Sequence, residues 1–142
     1  MRIYVRETLV RASIQQIFRY SASKQGFCEQ FPYQVKWWEG PEYWGKGDVL
    51  DFSYRVYGLW LRHRAEVIDY QQDRMFVDRM LEGPYRLFQH THEFTPVEEG
   101  VRVKDTVEFS LGLGDMVDRT IGMMTLDRAF SLRHRALGLV KV

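Results

Sequence analysis

The chain has 142 residues, with 20 Lys and Arg against 19 Asp and Glu, a net charge of +1, 45% hydrophobic residues and 15% aromatics. That length suits one domain, residues 1–142, able to bury roughly two-thirds of its unfolded surface. Charge so balanced and dispersed offers no field for a nucleic-acid backbone or an anionic membrane, which argues against both as partners.

No apolar run approaches the ~20 residues of a membrane span, so stable membrane insertion is not expected. The N-terminus begins with the strand-like Met1-Arg2-Ile3-Tyr4-Val5-Arg6-Glu7 and lacks the apolar core of a signal peptide. A cytoplasmic location is the expectation. The single cysteine, Cys28, forbids an intrachain disulfide and reads most simply as a small core residue.

After the first strand, Ser13 is a good N-cap for a short helix whose apolar edge is Ile14, Ile17 and Phe18. Gly26 to Phe31 forms a second helical piece, which Pro32 terminates. Gln34 to Glu39 is a tryptophan-rich strand, punctuated by Gly40-Pro41 and Gly45-Lys46-Gly47. A meander follows. Leu50, Phe52, Tyr54 and Val56 alternate with polar residues up to a turn at Gly58. The strand Trp60 to Tyr70 puts Leu61, His63, Ala65 and Val67 on one face. Met75 to Glu82 is the next strand, and Gly83-Pro84 turns the chain again.

The strand that follows, Phe88-Gln89-His90-Thr91-His92-Glu93-Phe94, places Phe88, His90, His92 and Phe94 on one face. Its partner across Glu98-Glu99-Gly100 places Val101, Val103, Asp105, Val107 and Phe109 on one face. The apolar members mark both faces as inward, so two imidazoles and a carboxylate point into the core and need partners. A connection spanning Val97 to Gly100 sets His92 opposite Asp105 and His90 opposite Val107. A tighter turn at Glu99-Gly100 sets Phe94 opposite Asp105. Both registers keep His92 within reach of Asp105.

From Asp115 to about Leu137 the chain reads as one long helix. Val117, Ile121, Met124, Arg128 and Ser131 or Leu132 trace its stripe, widened by Met116, Met123, Phe130 and Leu137. The fold class is therefore α+β. A curved antiparallel sheet of about seven strands wraps a long C-terminal helix, with two short helices between strands 1 and 2.

Three runs extend this. Phe76-Val77-Asp78, Gly83-Pro84-Tyr85 and the histidine strand, followed by Gly100-Val101-Arg102-Val103-Lys104-Asp105-Thr106-Val107, resemble the START-like, or SRPBCC, superfamily. That superfamily includes birch pollen allergens, polyketide cyclases and lipid-transfer domains. The likeness is to its small bacterial ligand-binding branch, whose basic tail Arg133-His134-Arg135 also resembles. His63 and Phe88 stand where that branch often carries tryptophan. The resemblance implies a helix-grip fold with a cavity between sheet and helix. Its expected wall is aromatic and polar in part: Phe52, Tyr54, His63, Phe76, Phe88, His90 and His92. Asp105, Val107 and Phe109 would complete the sheet side, and Val117, Ile121 and Met124 the helix side.

The leading expectation is binding of a small hydrophobic or amphipathic molecule, such as a lipid, isoprenoid or polyketide, with His90, His92 and Asp105 meeting its polar end. An alternative is a cyclase or dehydratase using His92 and Asp105 as an acid/base pair, with His90 as a further candidate. A second alternative is an interaction module whose gap is filled by its own aromatics. His90 and His92, joined by His63 or Asp105, have the chemistry of a zinc or iron site. The apolar flanks argue against one, so no metal and no cofactor is expected.

Overall fold

The computed structural model describes residues 1–138; positions 139–142 of the expected domain lie outside the described residues. Strand β1 (Arg2–Val10) leads to helix α1 (Ile14–Ser21), where Ser13 Oγ accepts the Gln16 N–H at 3.2 Å. Helix α2 (Lys24–Gln30) is capped in the same way by Ser23, whose Oγ accepts the Gly26 N–H at 3.1 Å. Both caps satisfy donors that a helix start leaves orphaned.

The remaining strands are β2 (Val35–Glu39), β3 (Val49–Val56), β4 (Leu59–Gln71), β5 (Met75–Glu82), β6 (Leu87–Val97) and β7 (Gly100–Ser110). They form one antiparallel sheet in the order β1-β7-β6-β5-β4-β3-β2. Tyr57 and Gly58, both at positive φ (50° and 79°), make the β3–β4 turn. That backbone matches the right-handed twist of the strands it joins. Of the two registers open at the β6–β7 hairpin, the chain takes the one in which Val97 pairs with Gly100 and His92 with Asp105.

The C-terminal helix is α-helical over Asp115–Val117, π-helical over Asp118–Gly122 and α-helical again over Met123–Gly138. Its inward line is Asp118, Gly122, Leu126, Phe130, His134 and Leu137. The expected stripe of Val117, Ile121 and Met124 lies on other faces. Ile121 is 56% and Met124 68% exposed, and Met116 and Leu132 are exposed with them. The π turn takes up an extra residue and resets the helix phase. The true inward line also carries a carboxylate and a glycine at its start, so an apolar pattern cannot trace it. Asp118 earns its place by accepting the Leu111 N–H at 2.8 Å.

Two apolar clusters fill the concave face. One, under α1, gathers Phe18, Phe76, Phe94, Val103 and Leu137; the other joins Tyr4, Val107, Phe109, Leu126 and Phe130. Cys28 is not a core residue. It is exposed on α2, and its Sγ accepts the Trp37 indole N–H at 3.3 Å. Trp44 is buried, whereas Trp38 and Trp60 are exposed. No helix among the described residues is long and apolar enough to cross a membrane.

Candidate functional site

A polar belt separates the two apolar clusters, and three elements interrupt their apolar lines at the same level. On β6, His90 and His92 lie between Phe88 and Phe94. On β7, Asp105 lies between Val103 and Val107. On the C-terminal helix, Arg133 and His134 lie between Phe130 and Leu137. Asp105, fully buried, is the centre of the belt. Its Oδ1 accepts from His90 Nε2 at 2.8 Å and from Arg133 Nη2 at 3.3 Å. Its Oδ2 accepts from Arg133 Nε at 2.8 Å and His134 Nε2 at 2.6 Å. Four donors use up the lone-pair directions of one carboxylate.

His92 faces Asp105 in register, yet its Nε2 bonds Asp78 Oδ2 on β5 at 2.8 Å, leaving Nδ1 3.5 Å from Asp105. Asp78 itself sits opposite His90. Both imidazoles therefore choose the diagonal carboxylate, and the pairs are His90–Asp105 and His92–Asp78. A carboxylate only accepts, so each Nε2 carries the proton in these bonds. Phe76, His92 and His90 stack in a column, with ring centroids 3.9 Å and 3.6 Å apart.

Electrostatics follow from this packing. Burial, aided by neighbouring His90, pushes His92 down to about 4, and the bond to Asp78 offsets only part of that. Burial lowers His63 as well. Burial alone would raise Asp105, but the charge of Arg133, together with His90 and the His134 bond, holds its carboxyl well below the usual range. Burial alone would raise Asp78 too, but the His92 bond together with the charges of His92, His90 and His63 outweighs it and leaves that carboxyl depressed.

Beside the belt, between sheet and helix, opens a cavity of about 300 Å³. Phe52, Tyr54, His63, Phe76, Phe88, His90 and His92 line it, as do Asp78 and Arg133. Asp105, Val107 and Phe109 do not reach its wall. Asp105 is covered by its four donors, and the other two are packed solid in the second apolar cluster. Val117, Ile121 and Met124 are absent from it because the helix phase differs; Thr125, Leu126 and Ala129 take that side. Met116 and Met123, which widen the expected stripe, are likewise not part of the lining. The gap is open, whereas an interaction module without a ligand would need its own aromatics to fill it.

Pattern reading of the inward strand faces did not reach five participants. Asp78 lies two residues from Phe76 on β5, so strand alternation with that inward ring is the signal that finds it; nothing local marks Arg133-His134 as inward. Ser21 and Gln30 end α1 and α2, and only tertiary packing brings them to the cavity. Asp78, His90 and His92 also hold potential ligand atoms within 4.8 Å of one another. Both Nε2 atoms there already face carboxylates, and Arg133 Nη2 stands 3.5 Å from His92 Nδ1, a cation where a metal cation would have to approach.

By sequence, no family model matches the chain and no curated protein matches it. Solved structures do. Protein CV1439 from Chromobacterium violaceum superposes with a TM-score of 0.80 at 9% identity, over 99% of this chain and 97% of its own. The di-domain ARO/CYC StfQ from the steffimycin biosynthetic pathway gives 0.77 at 14% identity, over 96% of this chain and 49% of StfQ. Ginseng major latex-like protein 151 from Panax ginseng gives 0.70 at 11% identity, over 98% of both chains. With the sheet order, the two short helices and the gripped C-terminal helix, these likenesses identify the fold of this chain as START-like, or SRPBCC.

Proposed function

We propose that the chain binds a small hydrophobic or amphipathic molecule between its sheet and C-terminal helix. One observation carries this reading: a cavity of about 300 Å³ whose wall is mostly apolar and rich in aromatic rings, with Asp78, His90, His92 and Arg133 of the belt among its lining. Such volumes lie at the lower end of small-molecule pockets, ~300–1,000 Å³. Space for about ten waters, at their liquid volume, suits a compact ring system of isoprenoid or polyketide type better than a long acyl chain. Binding is driven by apolar burial, and the belt supplies orientation. Native mass spectrometry of gently purified protein, followed by titration with ring-bearing isoprenoids and polyketide fragments, tests it. Ala129→Phe, placed in the wall, should abolish uptake while the protein stays folded; uptake undiminished in that variant would show that the guest sits elsewhere.

A second reading has one observation in its favour. His90 is oriented by Asp105 through Nε2, and its ring lines the cavity, as a base oriented by a carboxylate would. In a cyclase or dehydratase, this pair rather than His92 and Asp105 would move the proton, since His92 bonds Asp78 instead of Asp105 and its other nitrogen, Nδ1, already faces Arg133 Nη2 at 3.5 Å. His90→Gln should then stop turnover of a polyketide substrate without weakening its binding. Retained turnover would rule the enzyme out.

A further inference from the structure

Of the four belt residues in the cavity wall, Asp78 keeps the most open surface. Its side chain is 14% exposed, against 12% for Arg133, 10% for His90 and 9% for His92. Asp78 follows Phe76 on the inward face of β5, so that surface faces the cavity it lines. Its Oδ2 accepts from His92 Nε2 at 2.8 Å. Its Oδ1 has no hydrogen-bond partner among the described residues, and it is not one of the enclosed atoms. Asp105, by contrast, is sealed beneath its four donors.

No fixed positive charge answers this carboxylate. Its one ion-pair partner among the described residues is His92, which burial, aided by His90, pushes down to about 4 and keeps neutral at neutral pH. His63 is lowered by burial as well, and His90 gives its Nε2–H to Asp105. Arg133 lines the wall too, but its Nε and Nη2 bond Asp105, and it approaches His92 at Nδ1, not at the nitrogen that bonds Asp78. Asp78 is itself depressed and therefore ionised. The wall thus carries one uncompensated negative charge, which is costly until a cation enters. An anionic guest would be repelled, and a neutral one would leave the charge unanswered. The rings of Phe31, Phe52, Tyr54 and Phe88 also line the cavity. They suit an aromatic body, and their faces tolerate a neighbouring cation.

We infer that Asp78 Oδ1 receives the protonated amine of an arylalkylamine whose ring system occupies the aromatic part of the cavity. This rests on the ligand-binding reading above and gives it a ligand class, a compact amphipathic cation.

Naphthylethylamine, naphthylethanol and naphthylacetate share one ring system and differ in the charge of the polar end. Titrated calorimetrically into the full chain at neutral pH, the ammonium should bind about tenfold tighter than the alcohol, the lower end of what a hydrogen bond between charged groups gives, and the carboxylate should bind weakest. Asp78→Asn removes the charge but keeps an oxygen for His92 Nε2–H. In that variant the ammonium should fall to the level of the alcohol, whose own affinity holds. Ala129→Phe should abolish uptake of all three; if Asp78→Asn does not fold, this variant and the wild-type ratio decide. Equal binding of ammonium and alcohol overturns the amine site and leaves the cavity reading intact, as does an ammonium preference that survives Asp78→Asn. Ammonium binding undiminished in Ala129→Phe puts the cation on an outer carboxylate and overturns the site. Tightest binding of naphthylacetate overturns the cationic class. Binding of none of the three overturns the cavity reading, and the amine site with it.

Discussion

Asp105 is one residue on which five others depend in turn. It holds His90, His134 and Arg133 directly; through Arg133 it fixes Gln30, and it stands 3.5 Å from His92. Removing one member of a buried charge pair strands the other, which costs about 3–5 kcal/mol. Asp105→Ala should lower unfolding stability by that amount in urea titrations, and a loss below about 1 kcal/mol would show that the belt is not held together by this carboxylate. The imidazoles make a separate, pH-dependent contribution. His92 and His63 are depressed in the fold, so they stay neutral there while the unfolded chain takes up protons below about 6.5. Stability should therefore fall as pH drops from about 6.5 towards 4, with a slope approaching ~1.4 kcal/mol per pH unit from His92 and a further loss of the same sign from His63. The depressed carboxylates Asp105 and Asp78 act in a lower window, their contribution being lost only as pH falls below their ordinary value of 3.8. Urea midpoints measured across pH 4–8 should flatten in His92→Gln.

Among the elements, the C-terminal helix separates what periodicity can read from what it cannot. Strand alternation locates β6 and β7 and their inward faces, because a period of two leaves only two choices of face. A helix has many phases, and here a π turn changes the phase midway. Gly122 belongs to that turn and lies against Phe109; a Cβ there would meet the ring at 2.6 Å. Gly122→Ala should cost about 1–3 kcal/mol by overpacking, readable as a lowered thermal midpoint. Met124→Glu on the exposed face should change stability by less than about 0.5 kcal/mol. A large loss there would mean that the face is covered in solution.

For the molecule as a whole, fold class was accessible from element order and from the motif around His90 and His92. The diagonal pairing was not. Register alone puts His92 against Asp105, and only the position of β5 shows that Asp78 draws His92 away. Ser21 and Gln30 were invisible for another reason: they close short helices far along the chain from Arg133, and no local period links them. A bound guest should stabilise the whole chain by mass action, about 2.7 kcal/mol at a hundredfold excess over its Kd. Thermal shift in wild type but not in Ala129→Phe would read that coupling.

The chain's one thiol sits on the outward side of α2, whose Phe27 and Gln30 face the chamber from the other side. A fluorophore attached at Cys28 would be a single-site reporter needing no mutagenesis. It would rest beside the Trp37 indole, which packs on Phe27 and Phe52. Any guest that shifts those rings would change emission from dye and indole together, so occupancy could be followed in real time from outside the protein.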